Sequence, residues 1–288
     1  MRLTLGARTF DLDREVAVMA VVNRTPDSFV DRGRTFALDA AVAHALAQVA
    51  AGADIVDVGG VKAGPGDEVT AEAELERVVP VIEALRARCD VPLSVDTFRA
   101  EVAAAALAAG ADLVNDVGGM ADPRVADVVA AHRGAALTVV HAGGPPRSRP
   151  FRPAYLPDVT AAVVQRCRAL AAEARRRGVP ADKIVVDPGH DLGKTTAQSL
   201  ELTRRLPELC ALGYPVLVAL SRKDFLGEAL GLPVGQRLGA SLGAAVAAVM
   251  LGARLVRAHD TLETVRAVRT VESILGWRAP AVSARGLE

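Results

Sequence analysis

Eight short apolar runs in this sequence each lead to a polar residue that can bind a ligand or carry charge. In chain order these residues are Asn23, Asp57, Asp96, Asn115, His141, Asp187, Lys223, and the pair Arg257 and His259. Carboxylate and amide groups can bind the N–H and C=O groups of a ligand, and Lys, Arg and His can neutralise an anion. Turns favour Asp and Asn for conformational reasons, but that preference does not explain Lys, Arg and His at the same place. The pattern therefore predicts that these residues meet in one functional site.

The apolar runs have the length and composition of β-strands, and segments with helical periodicity lie between them. The runs cover residues 15–23, 54–59, 93–97, 112–117, 136–141, 183–188, 215–220 and 254–260. The clearest helical segments cover residues 37–51, 100–109, 159–177 and 238–251. Eight strands alternating with helices predict a barrel whose strands all end at one mouth. We therefore predict an α/β fold, a single-domain (β/α)8 TIM barrel over residues 1–276, with a flexible C-terminal tail over 277–288.

Composition and charge exclude several classes of partner. Lys plus Arg and Asp plus Glu number 34 each, so no net charge attracts nucleic acid or an anionic membrane. No apolar run is long enough to cross a bilayer, and residues 1–13 lack the pattern of a secretion signal. These features predict a small-molecule partner, no nucleic-acid or membrane partner, and a cytoplasmic location. Cys89, Cys167 and Cys210 lack metal-ligand spacing and are predicted to be free thiols.

Spacing excludes two nucleotide-binding motifs. The segment GHDLGKT at 189–195 resembles a phosphate-binding P-loop, but only three residues separate its glycines, where that motif requires four. No G-x-G-x-x-G opens a helix after the first strand, so a dinucleotide-binding fold is not supported. The Pro- and Arg-rich segment 143–158 is predicted to be a long exposed loop or partly disordered.

Seven short motifs occur in order along nearly the whole chain. They are VVNRTPDSFVDRG (21–33), DIVDVGG (54–60), SVDT (94–97), NDVGG (115–119), DPG (187–189), SRKDFLG (221–227) and VRAHD (256–260). In this order they resemble the dihydropteroate synthase family, which joins a dihydropterin to p-aminobenzoate in folate biosynthesis. The resemblance implies a transferase that is typically a homodimer. The alanine-rich helix at 241–253 is either the dimer contact or an ordinary barrel helix.

The resemblance also implies where the pterin binds. The residues at the matching positions are Asp96, Asn115, Asp187 and Lys223. A pterin ring has an amino-pyrimidinone edge whose N–H groups suit carboxylates and amides, and whose acceptors suit an ammonium group. Asp96 and Lys223 are the implied catalytic residues, because a carboxylate such as Asp96 favours the pterin carbocation proposed for the family. A strand-end cap or an internal ion pair is the alternative role for each of the four.

The first substrate of the family carries a diphosphate leaving group. Asn23, Arg257 and His259 match the positions that bind this group, and Asn23 does so through Mg²⁺, the implied cofactor. An arginine, a histidine and a hard cation together neutralise the charge that grows on a departing diphosphate. Phe29 and Asp31, in the first loop, are implied to close over the site and exclude water.

The loop after the second predicted strand departs from the family pattern. Typical members continue as Gly-Gly-Glu-Ser-Thr-Arg-Pro-Gly, whereas residues 59–66 read GGVKAGPG. Ala63 and Gly64 replace the threonine and the arginine, and their side chains can neither donate a hydrogen bond nor neutralise an anion. Lys62 keeps one positive charge in this loop, but without the planar fork of an arginine.

Two acidic residues add to the departure. After SRK, family members have a serine or an arginine that helps to receive the carboxylate of p-aminobenzoate, whereas this chain has Asp224. An acid at this position opposes the binding of an anion, although Asp224 could instead face the first turn of the next helix. His190, Asp191 and Leu192 replace an apolar residue, a glycine and a phenylalanine, and the added carboxylate together with the loss of the aromatic ring could tilt the pocket of Asp187. The predicted second-substrate side comprises Phe29, Lys62, Pro65 and Asp224.

Two functions remain open at this point. The chain is either a dihydropteroate synthase or a paralogue that keeps the fold and the pterin and diphosphate pocket but has weak or no synthase activity. A pterin-binding methyltransferase domain is a third reading. The SRK and R-x-H motifs argue against it, because a methyl donor brings no diphosphate to neutralise.

Overall fold

Ten strands lie in the part of the chain that the structure describes. The computed structural model of the protein describes residues 1–25, 35–64, 66–147 and 154–285. The strands are β1 (Arg2–Leu5), β2 (Arg8–Asp11), β3 (Ala17–Asn23), β4 (Ile55–Gly59), β5 (Leu93–Asp96), β6 (Leu113–Asp116), β7 (Ala136–Val140), β8 (Ile184–Asp187), β9 (Leu217–Ala219) and β10 (Leu255–Ala258). The last eight form one parallel sheet in the order β8-β7-β6-β5-β4-β3-β10-β9, and a bridge between Val186 and Val216 joins its two edges. The predicted (β/α)8 barrel is confirmed.

Helices cover the outside of the barrel. They are α1 (Leu38–Ala50), α2 (Ala71–Arg86), α3 (Ala100–Ala108), α4 (Arg124–Ala131), α5 (Val159–Arg176), α6 (Thr196–Arg204), α7 (Leu206–Cys210), α8 (Asp224–Leu230), α9 (Leu238–Met250) and α10 (Thr261–Ile274). Local signals start several of them: Asp158 caps α5 by accepting from the Ala161 N–H, and Thr195 begins a capping box with Gln198 at α6. Among the described residues, no helix is long and apolar enough to cross a membrane.

The predicted elements agree closely with these bounds. Each of the eight predicted strands and four predicted helices is present, and every end lies within two residues of the predicted one. The predicted C-terminal tail begins with a packed residue, because the Arg254 guanidinium lies 4.7 Å from the centre of the Trp277 ring. Residues 278–285 are exposed.

The β1–β2 hairpin was not predicted from the sequence. Its apolar residues Leu3, Leu5, Phe10 and Leu12 are fully buried. They pack against inward-facing residues near the amino ends of the barrel strands, among them Met19, Ile55 and Leu113. The hairpin therefore closes the amino-terminal end of the barrel with an apolar plug.

Side chains inside the barrel change from apolar to polar toward the carboxyl ends of the strands. Alternate residues of a strand point to the same face, so Asp57 follows Ile55 into the interior and Asn115 follows Leu113. Asp96 of β5 is paired in register with Asn115 of β6, so the polar side chains of neighbouring strands lie at the same level of the barrel. The amino-terminal end of the barrel interior is an apolar core that stabilises the fold, and the carboxyl-terminal end carries the polar side chains that could bind a ligand.

Asp54 connects the hairpin and α10 to the barrel. Its carboxylate accepts hydrogen bonds from the Val18 N–H at 2.8 Å, from Arg8 at 2.6 Å and from Arg269 at 2.5 Å. The residue is buried, so removing its charge leaves two arginines short of a counter-ion.

We expect Asp54→Asn to lower the free energy of unfolding by about 2–4 kcal/mol, because it breaks a buried ion pair from one side. Urea denaturation followed by circular dichroism measures the change. Asp127→Asn is the matched control, because exposed Asp127 forms a surface ion pair with Arg177 at 2.8 Å, and its loss should change stability by less than about 1 kcal/mol. Equal effects of the two substitutions would contradict this role of Asp54.

Candidate functional site

One cavity of about 270 Å³ lies at the carboxyl ends of the barrel strands. Seven of the predicted site residues line it: Asn23, Lys62, Asp96, Lys223, Asp224, Arg257 and His259. Asn115 and Asp187 are buried on β6 and β8 in the same polar end of the barrel. Phe29, Asp31 and Pro65 lie outside the described residues. The structure thus brings together the predicted residues that it describes, whereas His141 lines a separate cavity.

The Arg257 guanidinium is held between two carboxylates at the inner end of the cavity. Its Nε donates to Asp57 Oδ2 at 2.6 Å, and its Nη2 donates to Asp96 Oδ2 at 2.7 Å. Asn115 Nδ2 also lies 3.3 Å from Asp57 Oδ2. One cation therefore joins the neighbouring strands β4 and β5 to β10, across the intervening β3.

Two acceptor atoms in this cluster have no hydrogen-bond partner among the described residues. They are Asp57 Oδ1 and Asn115 Oδ1, and both are buried. Buried polar atoms in folded proteins nearly always have a partner, which can be water or a ligand. Both atoms lie next to the inner end of the cavity, although neither residue lines it, and both could accept from an N–H donor that reaches them.

Burial also changes the acidity of the carboxyls here. Burial raises the pKa of Asp96 to about 7, although Arg257 opposes the rise and the nearby Asp57 adds to it. Burial likewise raises the pKa of Asp187, against the Gly189 N–H and the charge of Lys223, which favour the carboxylate. Either carboxyl can therefore exchange a proton with a ligand nearer neutral pH than an exposed aspartate can.

The loop after β8 is fixed by its backbone. The Gly189 N–H donates to Asp187 Oδ1 at 2.6 Å, and Lys223 Nζ donates to the His190 carbonyl at 3.1 Å. Gly189 has φ +66°, and a Cβ at this position would lie 2.1 Å from the His141 carbonyl oxygen. Glycine in the DPG motif is therefore required for the approach of two backbone segments.

Lys194, the lysine of the P-loop-like segment, supports this loop from behind. Its Nζ donates to the carbonyls of Gly189 at 2.8 Å and Leu192 at 2.9 Å, and it lies 2.9 Å from Nδ1 of His141. The side chain is buried, and burial lowers its pKa to about 7. Lys194 is thus a structural residue here, which agrees with the exclusion of a P-loop.

His259 and Asn23 also line the cavity. His259 Nδ1 and its backbone N–H both lie 3.2 Å from Ser221 Oγ, which fixes the ring. Burial and the charge of Arg257 lower the pKa of His259 to about 3, so its imidazole is neutral at pH 7. Asn23 ends β3 and lines the cavity with its amide.

The outer end of the cavity has apolar walls and two acids. Val61, Ala63, Leu192 and Val234 line it, together with Lys62, Asp191 and Asp224. The Asp224 carboxylate pairs with Arg237 at 2.8 Å, so its charge is balanced within the protein. It begins α8 and also lines the cavity, and its effect on the binding of an anion stays a prediction.

The Asp191 carboxylate is turned toward the start of α8. Its Oδ2 accepts hydrogen bonds there from the backbone N–H groups of Asp224 at 2.7 Å and Phe225 at 3.4 Å. The expectation that the changes at 190–192 tilt the pocket of Asp187 stays a prediction. Residues 33 and 34 positions along the chain provide these donors, so the sequence alone held no sign of the contact.

Asp57, one of the polar residues predicted at the strand ends, belongs to the Arg257 cluster. Two other residues of the site were not singled out: Ser221 fixes His259, and Arg237 balances Asp224. Arg237 lies outside every motif, and its contact depends on the tertiary fold.

Asp96 is expected to reduce stability at neutral pH. Its pKa is about 7 in the folded protein against an ordinary 3.8, so the folded state binds more protons than the unfolded state between these values. Stability is therefore lost as pH rises from about 4 to about 7.

Asp96→Asn removes this effect, because the amide does not ionise. The substitution also weakens the pair with Arg257, which lowers stability. We therefore expect the loss of unfolding free energy between pH 5 and pH 8 to be about 1–2 kcal/mol smaller in the variant than in the wild-type protein. Urea denaturation at the two pH values measures both losses, with exposed Asp182→Asn as the control. An equal loss in the variant and the wild-type protein would contradict the assigned shift.

Comparison with known proteins places the chain in a family. The family profile described as "Pterin binding enzyme" matches residues 19–259. The chain is 48% identical over 292 residues to "Inactive dihydropteroate synthase 2" of Mycobacterium leprae, with 100% of each chain covered. The structure of Yersinia pestis dihydropteroate synthase with a sulfonamide drug matches with a TM-score of 0.91 and 38% identity, covering 96% of this chain and 100% of that chain. Xanthomonas albilineans dihydropteroate synthase with 4-aminobenzoic acid matches with a TM-score of 0.86 and 40% identity, covering 98% and 99%. The chain therefore belongs to the pterin-binding enzymes, within the dihydropteroate synthase family.

Proposed function

We propose that this protein binds a dihydropterin at the inner end of its cavity but has weak or no dihydropteroate synthase activity. The observation that carries this proposal is a difference between the two ends. The inner end keeps all four predicted pterin-binding residues, whereas at the outer end Ala63 and Gly64 have replaced the threonine and the arginine. The Mycobacterium leprae relative, whose name describes it as inactive, supports the same assignment.

The inner end suits the polar edge of a pterin. Asn115 and Asp187 supply an amide and a carboxylate for the N–H donors of the ring, and Lys223 supplies an ammonium for its acceptors. Asp57 Oδ1 and Asn115 Oδ1, which have no partner among the described residues, are acceptors of the kind that this edge requires. Asp96 remains the proposed residue that stabilises positive charge on the pterin.

Arg257, His259 and Asn23 are proposed to bind the diphosphate of the pterin substrate. Arg257 enters the cavity next to His259, and a neutral His259 can take up a proton when an anion arrives. Among the described residues, no group of three or more His, Cys, Asp and Glu side chains could hold a metal ion. Mg²⁺ needs few protein ligands when a substrate provides phosphate oxygens, so the Asn23 amide oxygen fits a shared magnesium site. The ion would neutralise charge on the diphosphate.

A homodimer in the cytoplasm, with no nucleic-acid partner, is also proposed. The outer side of α9 supports the dimer, because Gly239, Gly243, Ala247 and Met250 are exposed along it. Small side chains allow a helix of a second copy to approach closely. The balanced charge of the chain argues against nucleic acid.

A two-product assay tests the proposed function. Purified protein is incubated with Mg²⁺, the dihydropterin diphosphate and p-aminobenzoate, and dihydropteroate and pyrophosphate are measured separately. We expect wild-type protein to form dihydropteroate at least about a hundredfold more slowly than the Escherichia coli synthase.

The variant Ala63→Thr/Gly64→Arg/Asp224→Ser provides the internal comparison. It restores the family residues at the outer end, and we expect dihydropteroate formation to rise at least about tenfold. Asp182→Asn should leave the rate unchanged. Ordinary synthase turnover by the wild-type chain, or no gain in the triple variant with an unchanged fold, would contradict the proposal.

A further inference from the structure

The outer end of the cavity has an apolar wall beside its charged residues. Val61 is buried, and Ala63, Leu192 and Val234 are half-buried around it. Apolar walls favour an aromatic ring, since burial of its surface is favourable and requires no polar partner. The ring would lie beyond the inner polar residues, on the open side of the pterin.

The hydrogen-bond donors at this end are already engaged by carboxylates of the chain. Asp191 Oδ2 accepts from the N–H groups of Asp224 and Phe225, at 2.7 and 3.4 Å. Arg237 donates to Asp224 Oδ1 at 2.8 Å. An incoming carboxylate would have to displace one of these groups.

The nearby arginines are paired in the same way. Arg222 forms a two-point ion pair with Asp260, at 2.8 Å through Nε and 2.5 Å through Nη2. Arg257 is engaged by Asp57 and Asp96. Two lysines also line the cavity: Lys62, on a half-buried loop position, and Lys223, whose Nζ donates to the His190 carbonyl at 3.1 Å.

The backbone of Asp191 also indicates a specific role. Its φ is +63°, in the left-handed region that L-residues adopt at a cost and glycine adopts readily. Because the chain tolerates this conformation, the carboxylate reaches the start of α8. Its loop is held independently, since the Asp191 N–H donates to Ser199 Oγ at 3.3 Å.

These contacts define the kind of ring that fits. A carboxylate that enters the outer end loses its hydration, meets Asp191 and Asp224, and finds their donors occupied. An uncharged polar group of the same size loses far less. Apolar walls and internally balanced charges therefore favour a neutral ligand.

We propose that Asp191 is a specificity-determining residue that makes this cavity accept an uncharged aromatic amine and reject an aminobenzoate. The inference rests on the proposed function, because the ring is placed beside a bound pterin. The proposed loss of synthase activity does not by itself define which class of ligand the outer end binds, whereas the role of Asp191 does.

Two isosteric probes test this inference by isothermal titration calorimetry. In the first titration the protein binds the dihydropterin alcohol together with magnesium pyrophosphate. In the second, this complex is titrated with either p-aminobenzamide or p-aminobenzoate, two ligands of the same shape that differ in charge. We expect wild-type protein to bind the amide at least about tenfold more tightly than the carboxylate. In Asp191→Asn this ratio should fall at least about fivefold, because the α8 N–H groups no longer face a fixed negative charge.

Two further variants separate selectivity from folding. Asp191→Gly is compatible with the positive φ, and it should also lower the ratio of amide affinity to carboxylate affinity. Agreement between the two Asp191 variants therefore shows that the change does not come from a folding defect of the Asn variant. Exposed Asp182→Asn should keep the wild-type ratio.

Each outcome is decisive. Equal or tighter binding of p-aminobenzoate by wild-type protein overturns the inference and points to Lys62 as its receiver. A tenfold preference that stays the same in both Asp191 variants overturns the assignment to Asp191. Absence of binding in the first, pterin titration overturns the proposed function, and the inference with it.

Discussion

The Arg257 guanidinium, held between Asp57 and Asp96, is the interaction on which the barrel mouth depends. Two carboxylates inside one barrel repel each other and lose hydration, and a single cation at 2.6 and 2.7 Å makes their burial possible. The same contacts hold β4, β5 and β10 at fixed positions around the cavity. Asn115 extends this cluster to β6, and two acceptor atoms are left without a partner among the described residues. These two atoms are the acceptors that the proposed pterin site would offer to the N–H groups of the ring.

The two ends of the cavity differ in how their polar groups are satisfied. At the inner end, acceptors remain available and burial raises the pKa of Asp96 and Asp187, which suits a polar heterocycle. At the outer end, carboxylates of the chain already occupy the donors near α8. Family membership therefore describes the inner end better than the outer one. Retention of one half-site and alteration of the other is the physical basis for the proposed paralogue with weak or no synthase activity.

Periodicity and residue type were sufficient to predict the barrel and most of the site. All eight barrel strands were predicted because the strands of a parallel barrel are covered on both faces and so form continuous apolar runs in the sequence. Their polar ends could be placed together because all strands of such a barrel end at the same mouth. The β1–β2 hairpin was missed because two four-residue strands with one buried face give a weak alternation. The contact of Asp191 with α8 was missed because the two lie 33 residues apart in the sequence, and the direction of the Asp191 side chain depends on its backbone conformation, with φ +63°. Local pattern determines which elements form, and tertiary packing determines which carboxylate meets which donor.

Binding of a dihydropterin is the central claim, and calorimetric titration with 6-hydroxymethyl-7,8-dihydropterin tests it most directly. Asn115→Leu is the comparison, since it keeps the branched shape and the number of side-chain heavy atoms but removes the amide that the ring edge would meet. The account predicts saturable binding of one pterin per chain by the wild-type protein, and at least about tenfold weaker binding by a folded Asn115→Leu variant. No binding by the wild-type protein, or equal binding by the two proteins, would contradict it.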